Sequence, residues 1–217
     1  MATKSGVVRS GALDTEALRS ANILVGNPEN FAGLELTLRG PTLRFEADAL
    51  LALTGADLAA AINGRPVPRG RPVAVRAGTT LAFGAGPVPG RAWLAVAGGV
   101  AVPPVLGSRS TYLRAALGGM GGRALRAGDV LPLGEWPAIS QRLFAQLTPA
   151  ELTGWAAAPW HAAPAPTPGR ARTSCCERWP APSTSSLPRP ASGLFGQKLS
   201  PSPPRLTAWA VASVARR

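Results

Sequence analysis

Apolar and polar residues follow two different periods along the first 137 residues, and the place where one gives way to the other sets the predicted order of elements. In "TEALRSANILVG" (15–26), Ala17, Leu18, Ala21, Leu24 and Val25 recur at helical spacing. Asp14 stands at the N-cap position, and Gly26 stands where helices commonly stop. The spacing therefore predicts a helix over about residues 15–25. Beyond it the period falls to two. "LELTLRGPTLRFEA" (34–47) puts Leu34, Leu36 and Leu38 on one side, turns at Gly40-Pro41, and resumes with Leu43 and Phe45. It reads as a strand pair or a sharp strand corner. "ALLALTGAD" (49–57) is a short buried strand, and "INGRPV" (62–67) carries an Asn-Gly turn. "PVAVRAGTTLAFG" (72–84) gives two more strands around Ala77-Gly78. "RAWLAVAGGVAV" (91–102) is a long apolar strand broken at Gly98-Gly99, and "DVLPLG" (129–134) closes the set. Many short strands at intervals of about ten residues predict a mainly β barrel or sandwich with one N-terminal helix.

From about residue 159 neither period persists. Eleven of the 23 prolines lie in residues 151–217 and remove the donors that regular structure needs, so this part is expected to be an irregular tail. The expected organisation is a β domain over 1–137, a linker over 138–158, and a disordered or frameshifted tail over 159–217. Four of the six tryptophans (155, 160, 179, 209) nevertheless fall after residue 150, an unusual content for natural disorder.

Charge changes the picture little. The chain carries +12, divided as 15 basic and 9 acidic residues in 1–150 and 8 basic and 2 acidic residues in 151–217. The basic residues of the first part are scattered rather than interleaved with aromatics, and "RPVPRGRP" (65–72) reads as a solvated turn, so no nucleic-acid partner is expected. No apolar run reaches the roughly 18 residues of a membrane span, and "MATKSGVVRSGALD" lacks a signal-peptide core; a cytoplasmic protein with no membrane partner is expected. Cys175 and Cys176 are adjacent and offer neither a disulfide framework nor a zinc spacing. His161 is the single histidine, which excludes a multi-histidine metal site; its "WHAAPAPTP" setting is that of a loop.

The densest polar chemistry lies in "VLGSRSTYLRAALGGMGG" (105–122), directly after the apolar strand. It holds Ser108, Arg109, Ser110, Thr111 and Tyr112 in unbroken order beside five glycines. "LVGNPEN" (24–30), "LTGAD" (53–57) and "PPVLGSRSTY" (103–112) together resemble the biotin-dependent carboxyltransferase family, which includes the C subunit of bacterial 5-oxoprolinase, also called allophanate hydrolase subunit 2. The resemblance runs from about Gly6 to Gly134. It implies a cyclophilin-like β-barrel, the first of two that the family carries in tandem, with no recognisable second barrel in this chain. It also implies a subunit of an ATP-dependent amide or lactam hydrolase complex that opens 5-oxoproline to glutamate. ATP would act through the complex and its other 5-oxoprolinase-type subunits; biotin belongs only to the related urea enzymes. A second branch of the resemblance implies a regulatory binding protein that antagonises a kinase inhibitor. A third possibility is an inactive truncated product.

Within that chemistry, donors must face developing negative charge and a guanidinium suits an anion clamp. Arg109 is the expected clamp for a carboxylate or other anion. Ser108, Ser110 and Thr111 are expected hydroxyl donors, Tyr112 a donor or stacking group, and Gly107 a place for close backbone approach. The alternative for Arg109 is an ion pair with a carboxylate such as Asp57 that pins the loop. Asn27 can bind a lactam amide, with Glu35 or Glu29 as base, or belong to a plain turn. Asp57 can face the barrel mouth or form an Asx turn. Gly118, Gly119, Gly121 and Gly122 read as a flexible loop, since no Gly-Lys-Ser/Thr follows.

The tail carries one further expectation, a reading-frame error between about Trp136 and Arg172. If Leu206-Thr207-Ala208-Trp209 is written CTG ACC GCA TGG, reading from the last base of the leucine codon gives GAC CGC ATG GNN, or Asp-Arg-Met-Gly. That motif is what the resemblance leads one to expect in the second barrel. Out-of-frame GC-rich codons also yield the Arg, Pro, Ala, Ser and stray Trp that the tail contains.

Overall fold

A computed structural model describes residues 11–87, 90–148, 154–162 and 211–216. These belong to one compact unit, made of residues 1–163 and 209–217; a second unit, 164–208, lies outside the described residues, as do Cys175, Cys176 and most of the expected irregular tail.

The architecture is mainly β, with two sheets and two helices. Helix α1 (Thr15–Leu24) begins where Asp14 Oδ1 accepts the Ala17 N–H at 2.9 Å. It is followed by β1 (Leu34–Thr37), β2 (Thr42–Phe45), β3 (Ala49–Gly55), β4 (Ala61–Ile62), β5 (Arg65–Pro66), β6 (Pro72–Val75), β7 (Thr80–Ala82) and β8 (Arg91–Val96). Then come β9 (Val130–Leu133), α2 (Ala138–Leu147), β10 (Trp155–Ala157) and β11 (Val211–Arg216). One sheet is antiparallel, in the order β1-β8-β3-β6-β10. The other runs β5-β4-β7-β2-β11-β9, and β11 is parallel to both of its neighbours.

"LELTLRGPTLRFEA" is a corner, not a strand pair: β1 lies in the first sheet and β2 in the second. Leu38 turns the chain there in a left-handed conformation (φ 62°), and Gly40 lies against the Phe83 ring where a Cβ has no room. β6 and β7 divide between the sheets in the same way. The hairpin expected at Asn-Gly is β4–β5, with Asn63 and Gly64 both at positive φ (50° and 74°), as a type I′ turn requires. Sequential strands thus switch sheets at corners, so that in the described residues the wall of the expected barrel takes the form of two packed sheets.

Between the sheets lies the main core, with Leu43 and Phe45 of β2, Leu51 and Leu53 of β3, Leu94 of β8, and Leu131 and Leu133 of β9. The other face of the first sheet packs against the helices through a second cluster, Leu50, Ala52, Ala74 and Ala95 with Ala21, Leu24 and Val25. β3 is buried on both faces, which is why its sequence is a continuous apolar run rather than an alternation. The alanines on its helix side let the helices lie close.

The expected linker 138–158 instead contains α2 and β10. Leu147 lies one turn beyond Leu143 and Phe144, all three pack on the second cluster, and Trp136 meets Phe144 edge-to-face at 5.1 Å. Ser140 is fully buried and its Oγ donates to the Val25 carbonyl at 2.6 Å, satisfying the end of α1. β10 pairs with β6, Trp155 opposite Val75. α2 is as long as α1, and Pro137 at its N-cap is a helix-start signal, so the helix was legible in the sequence.

Candidate functional site

The segment that follows β8 is folded by its own backbone. Val105 and Ser108 exchange two hydrogen bonds (2.8 and 3.0 Å) around Leu106-Gly107, both left-handed (φ 51° and 76°). Gly107 is therefore the second turn residue of a tight hairpin. The Ser108 Oγ accepts the Ser110 N–H at 3.1 Å. Tyr112 and Leu117 exchange a second pair of bonds (2.8 and 3.2 Å) around a 3₁₀ turn, Leu113–Ala115. Gly118 and Gly119 then fold back on the hydroxyl run. A Cβ on Gly118 would run into the Ser110 carbonyl, and one on Gly119 into Thr111 Oγ1. Of the glycines expected to give flexibility, Gly118, Gly119 and Gly122 sit where a Cβ has no room, whereas one on Gly121 would meet nothing within 4 Å.

Arg109 stands outward from this scaffold. Its Nε donates to the Val102 carbonyl at 3.0 Å, and its guanidinium is in no ion pair among the described residues. Ser110, Thr111 and Tyr112 lie half-buried beside it. Pro103, Pro104, Val105, Leu106, Leu113 and Leu117 are exposed around the same segment, so the cation is framed by apolar surface.

Asn27 has a different setting. It is 6% exposed, and every bond of its amide lies inside the fold. Nδ2 donates to Asn22 Oδ1 (3.1 Å) and to the Val96 carbonyl (2.8 Å), while Oδ1 accepts the Gly98 N–H (2.8 Å). The Asn22 amide in turn donates to the carbonyls of Glu29 and Phe31. This pair knits the end of α1 to the Gly98-Gly99 break in the sheet. Glu29 pairs with Arg19 at 2.7 Å. Glu35 of β1 pairs with Arg91 of β8, whose Nη1 also donates to Thr37 Oγ1 at 2.8 Å. Asp57 accepts the Ala59 N–H at 2.9 Å, an Asx turn, and lies 3.9 Å from Arg69 rather than beside Arg109. No hydrogen bond among the described residues joins Asn27, Glu35 or Asp57 to the 105–122 segment.

Two interactions are not legible in the sequence alone. The Arg91–Glu35 pair is diagonal, since Arg91 lies opposite Thr37 and Glu35 opposite Trp93, and it requires knowledge of the β1–β8 register. In "RALRAGD" (123–129), Arg123 grips Asp129 with two bonds of 2.7 Å, and Asp129 also accepts the Arg126 N–H at 2.6 Å. The Arg123 hydrogen bonds, with help from that backbone N–H, hold the Asp129 carboxyl well below the usual carboxylate range. Arg123 is the cation that follows the glycine run; with its guanidinium committed to Asp129, the run offers no phosphate cradle of the Gly-Lys-Ser/Thr kind. Among the described residues no group of three or more His, Cys, Asp or Glu is placed to hold a metal ion, and no helix is long and apolar enough to cross a membrane.

The fold and the segment after β8 thus define a mainly β domain that presents an arginine on a glycine-packed loop. The carboxyltransferase domain, subdomain A and B, matches residues 5–181, and the chain belongs to that family. It is 46% identical over 132 residues to the C subunit of 5-oxoprolinase from Escherichia coli, covering 61% of this chain and 43% of that protein. It is 42% identical over 130 residues to urea amidolyase of Lachancea kluyveri, covering 60% of this chain and 7% of that one. The crystal structure of the K. lactis urea amidolyase superposes with a TM-score of 0.57 at 38% identity, over 59% of this chain and 8% of that one. The chain thus matches less than half the length of each of these relatives.

Proposed function

We propose that this chain supplies one part of a shared active site in an ATP-dependent amide or lactam hydrolase complex acting on 5-oxoproline. The similarity to the 5-oxoprolinase C subunit over 132 residues carries this reading. In it the domain is a cyclophilin-like barrel in the cytoplasm, ATP is bound by the other subunits, and biotin plays no part. Arg109 holds the substrate carboxylate or a developing anion, Ser110, Thr111 and Tyr112 orient it, and Ser108 shapes the turn that presents them. Glu35 and Asp57 are proposed for proton transfer, Glu35 from its ion pair with Arg91 and Asp57 from its Asx turn, and Asn27 contributes by fixing the end of α1 to the Gly98 break. Among the described residues no side-chain pair makes a self-sufficient nucleophile and base, which suits a protein that completes a site with others. The test is ATP turnover with 5-oxoproline after co-expression with the other 5-oxoprolinase-type subunits. Turnover that depends on both this chain and 5-oxoproline is expected; turnover unchanged when this chain is omitted would defeat the reading.

A second reading rests on the mismatch between 217 residues and the 132 that align with the E. coli relative: the gene has lost its frame, and the product is inactive alone. The packing of α2 on the core and the pairing of β10 with β6 support a frame intact to about Ala158, while the family match to residue 181 and the pairing of β11 with β2 and β9 weigh against a change beyond it. Resequencing decides: a frame open through codon 217, with stops in the shifted frame, removes this reading.

A further inference from the structure

The second sheet contains a seat one strand wide. β2 and β9 do not bond to each other; β11 lies between them, with Val211–Val214 opposite Thr42–Phe45 on one side and Ser213–Arg216 opposite Val130–Leu133 on the other. Both walls of the seat are built for pairing. On β2, Phe45 donates to the Thr79 carbonyl at 2.9 Å and its own carbonyl accepts the Gly78 N–H, so Phe45 and Leu43 face β7. Thr42 and Arg44 therefore turn their backbone groups toward β11, since the N–H and C=O of one residue share a side and successive residues alternate.

On β9 the decisive residue is Pro132, which has no N–H to give. Its carbonyl accepts the Ala101 N–H at 2.8 Å, and Gly134 donates to the Gly99 carbonyl at 3.1 Å. Pro132 therefore faces the 99–101 segment, and the missing donor falls on the edge away from the seat. Leu131 and Leu133 face β11 with donor and acceptor intact. Beneath the seat lie Leu43, Phe45, Leu131 and Leu133, each at most 3% exposed. An unfilled seat would leave two adjacent open edges above an apolar floor, the arrangement that recruits an extended peptide.

We propose that the gap between β2 and β9 is an exchangeable strand-acceptor site, which binds an extended peptide parallel to both walls and whose occupant in this chain is its own C-terminal segment, Val211–Arg216. The proposal stands apart from the enzymatic reading, because it concerns a backbone seat and not the 105–122 segment.

The test uses the full chain carrying Ala212→Pro and Val214→Pro, and a fluorescein-labelled peptide with the sequence of residues 209–217, WAVASVARR. The variant is expected to bind the peptide saturably. The unsubstituted chain should bind it at least about tenfold more weakly, because its tethered strand competes at an effective concentration in the roughly millimolar range. A peptide with the same two prolines should not bind. Equal binding by both chains, binding of the proline peptide, or no binding by a folded variant would each overturn the proposal. Should the variant fail to fold, hydrogen exchange on the unsubstituted chain decides. The amides of Arg44, Leu131 and Leu133 are expected to be protected, but less than those of β3, because β11 leaves its seat without global unfolding; protection equal to that of β3, or no protection at all, would overturn the proposal.

Discussion

Asn27 and Arg109 make an instructive pair. Each lies in a polar run just past a regular element, and each is a plausible ligand-binding group by residue type alone. The fold separates them. Asn27 is buried, with its amide divided among Asn22, Val96 and Gly98. Arg109 commits one N–H to Val102 and holds the rest of its guanidinium outside. A buried amide is needed where a sheet breaks and leaves backbone groups unpaired. Arg109 satisfies only the Val102 carbonyl and leaves the rest of an exposed guanidinium free of ion pairs among the described residues. Polar density in a sequence marks both situations alike.

Asn27→Ala tests the first half most sharply. It strands the Gly98 N–H and the Val96 carbonyl in a buried corner, and a loss of about 3 kcal/mol is expected in urea denaturation. A loss under about 1 kcal/mol would mean that the amide is dispensable to the fold. Arg109→Ala tests the second half. Removing a charged hydrogen-bond partner is expected to cost about 2 kcal/mol of substrate or transition-state binding, roughly thirtyfold in kcat/KM of the assembled complex, with the unfolding midpoint nearly unchanged. A variant with full activity would take Arg109 out of the site. Gly119→Ala sits between these extremes: the residue is left-handed (φ 52°) and abuts Thr111, so a loss of about 1–2 kcal/mol in stability is expected, with activity lowered through a misplaced hydroxyl run. The smallest effect belongs to Asp129→Asn. Because the folded carboxyl is held below its ordinary range, it contributes stability above about pH 4 and loses it as the pH falls further. The variant should be less stable than the parent at pH 7 and should lose less on going to pH 2, as read by the difference in urea midpoints.

Local signals in the sequence were reliable where a single residue type answers a single backbone need. Asp14 caps α1, Gly26 follows its end with φ 77°, and Asn63-Gly64 turn the β4–β5 hairpin. The mainly β class followed from period-two runs such as β1 and β2. Which strands pair did not follow, because a corner and a hairpin share the same turn residues; Gly40-Pro41 suits both. The same limit hid Arg91 from Glu35, whose meeting depends on β1 lying beside β8. Within the candidate site, the Ser108–Tyr112 run was visible as a cluster, yet the job of the glycines behind it was not. Flexibility and close packing call for the same residue, and only the position of Ser110 and Thr111 distinguishes them.

The corners also fix the order in which this domain can assemble. β4 and β5 are neighbours in sequence, and the pairs β3–β6 and β2–β7 close around them. β1 and the open side of β3 wait for β8, more than fifty residues downstream of β1 by the Leu36–Ala92 pairing. During synthesis the nested hairpins can therefore zip outward from Asn63-Gly64 while one edge of β3 stays open, and the ribosome has to deliver Trp93 and Leu94 before β1 can join the helix-covered sheet.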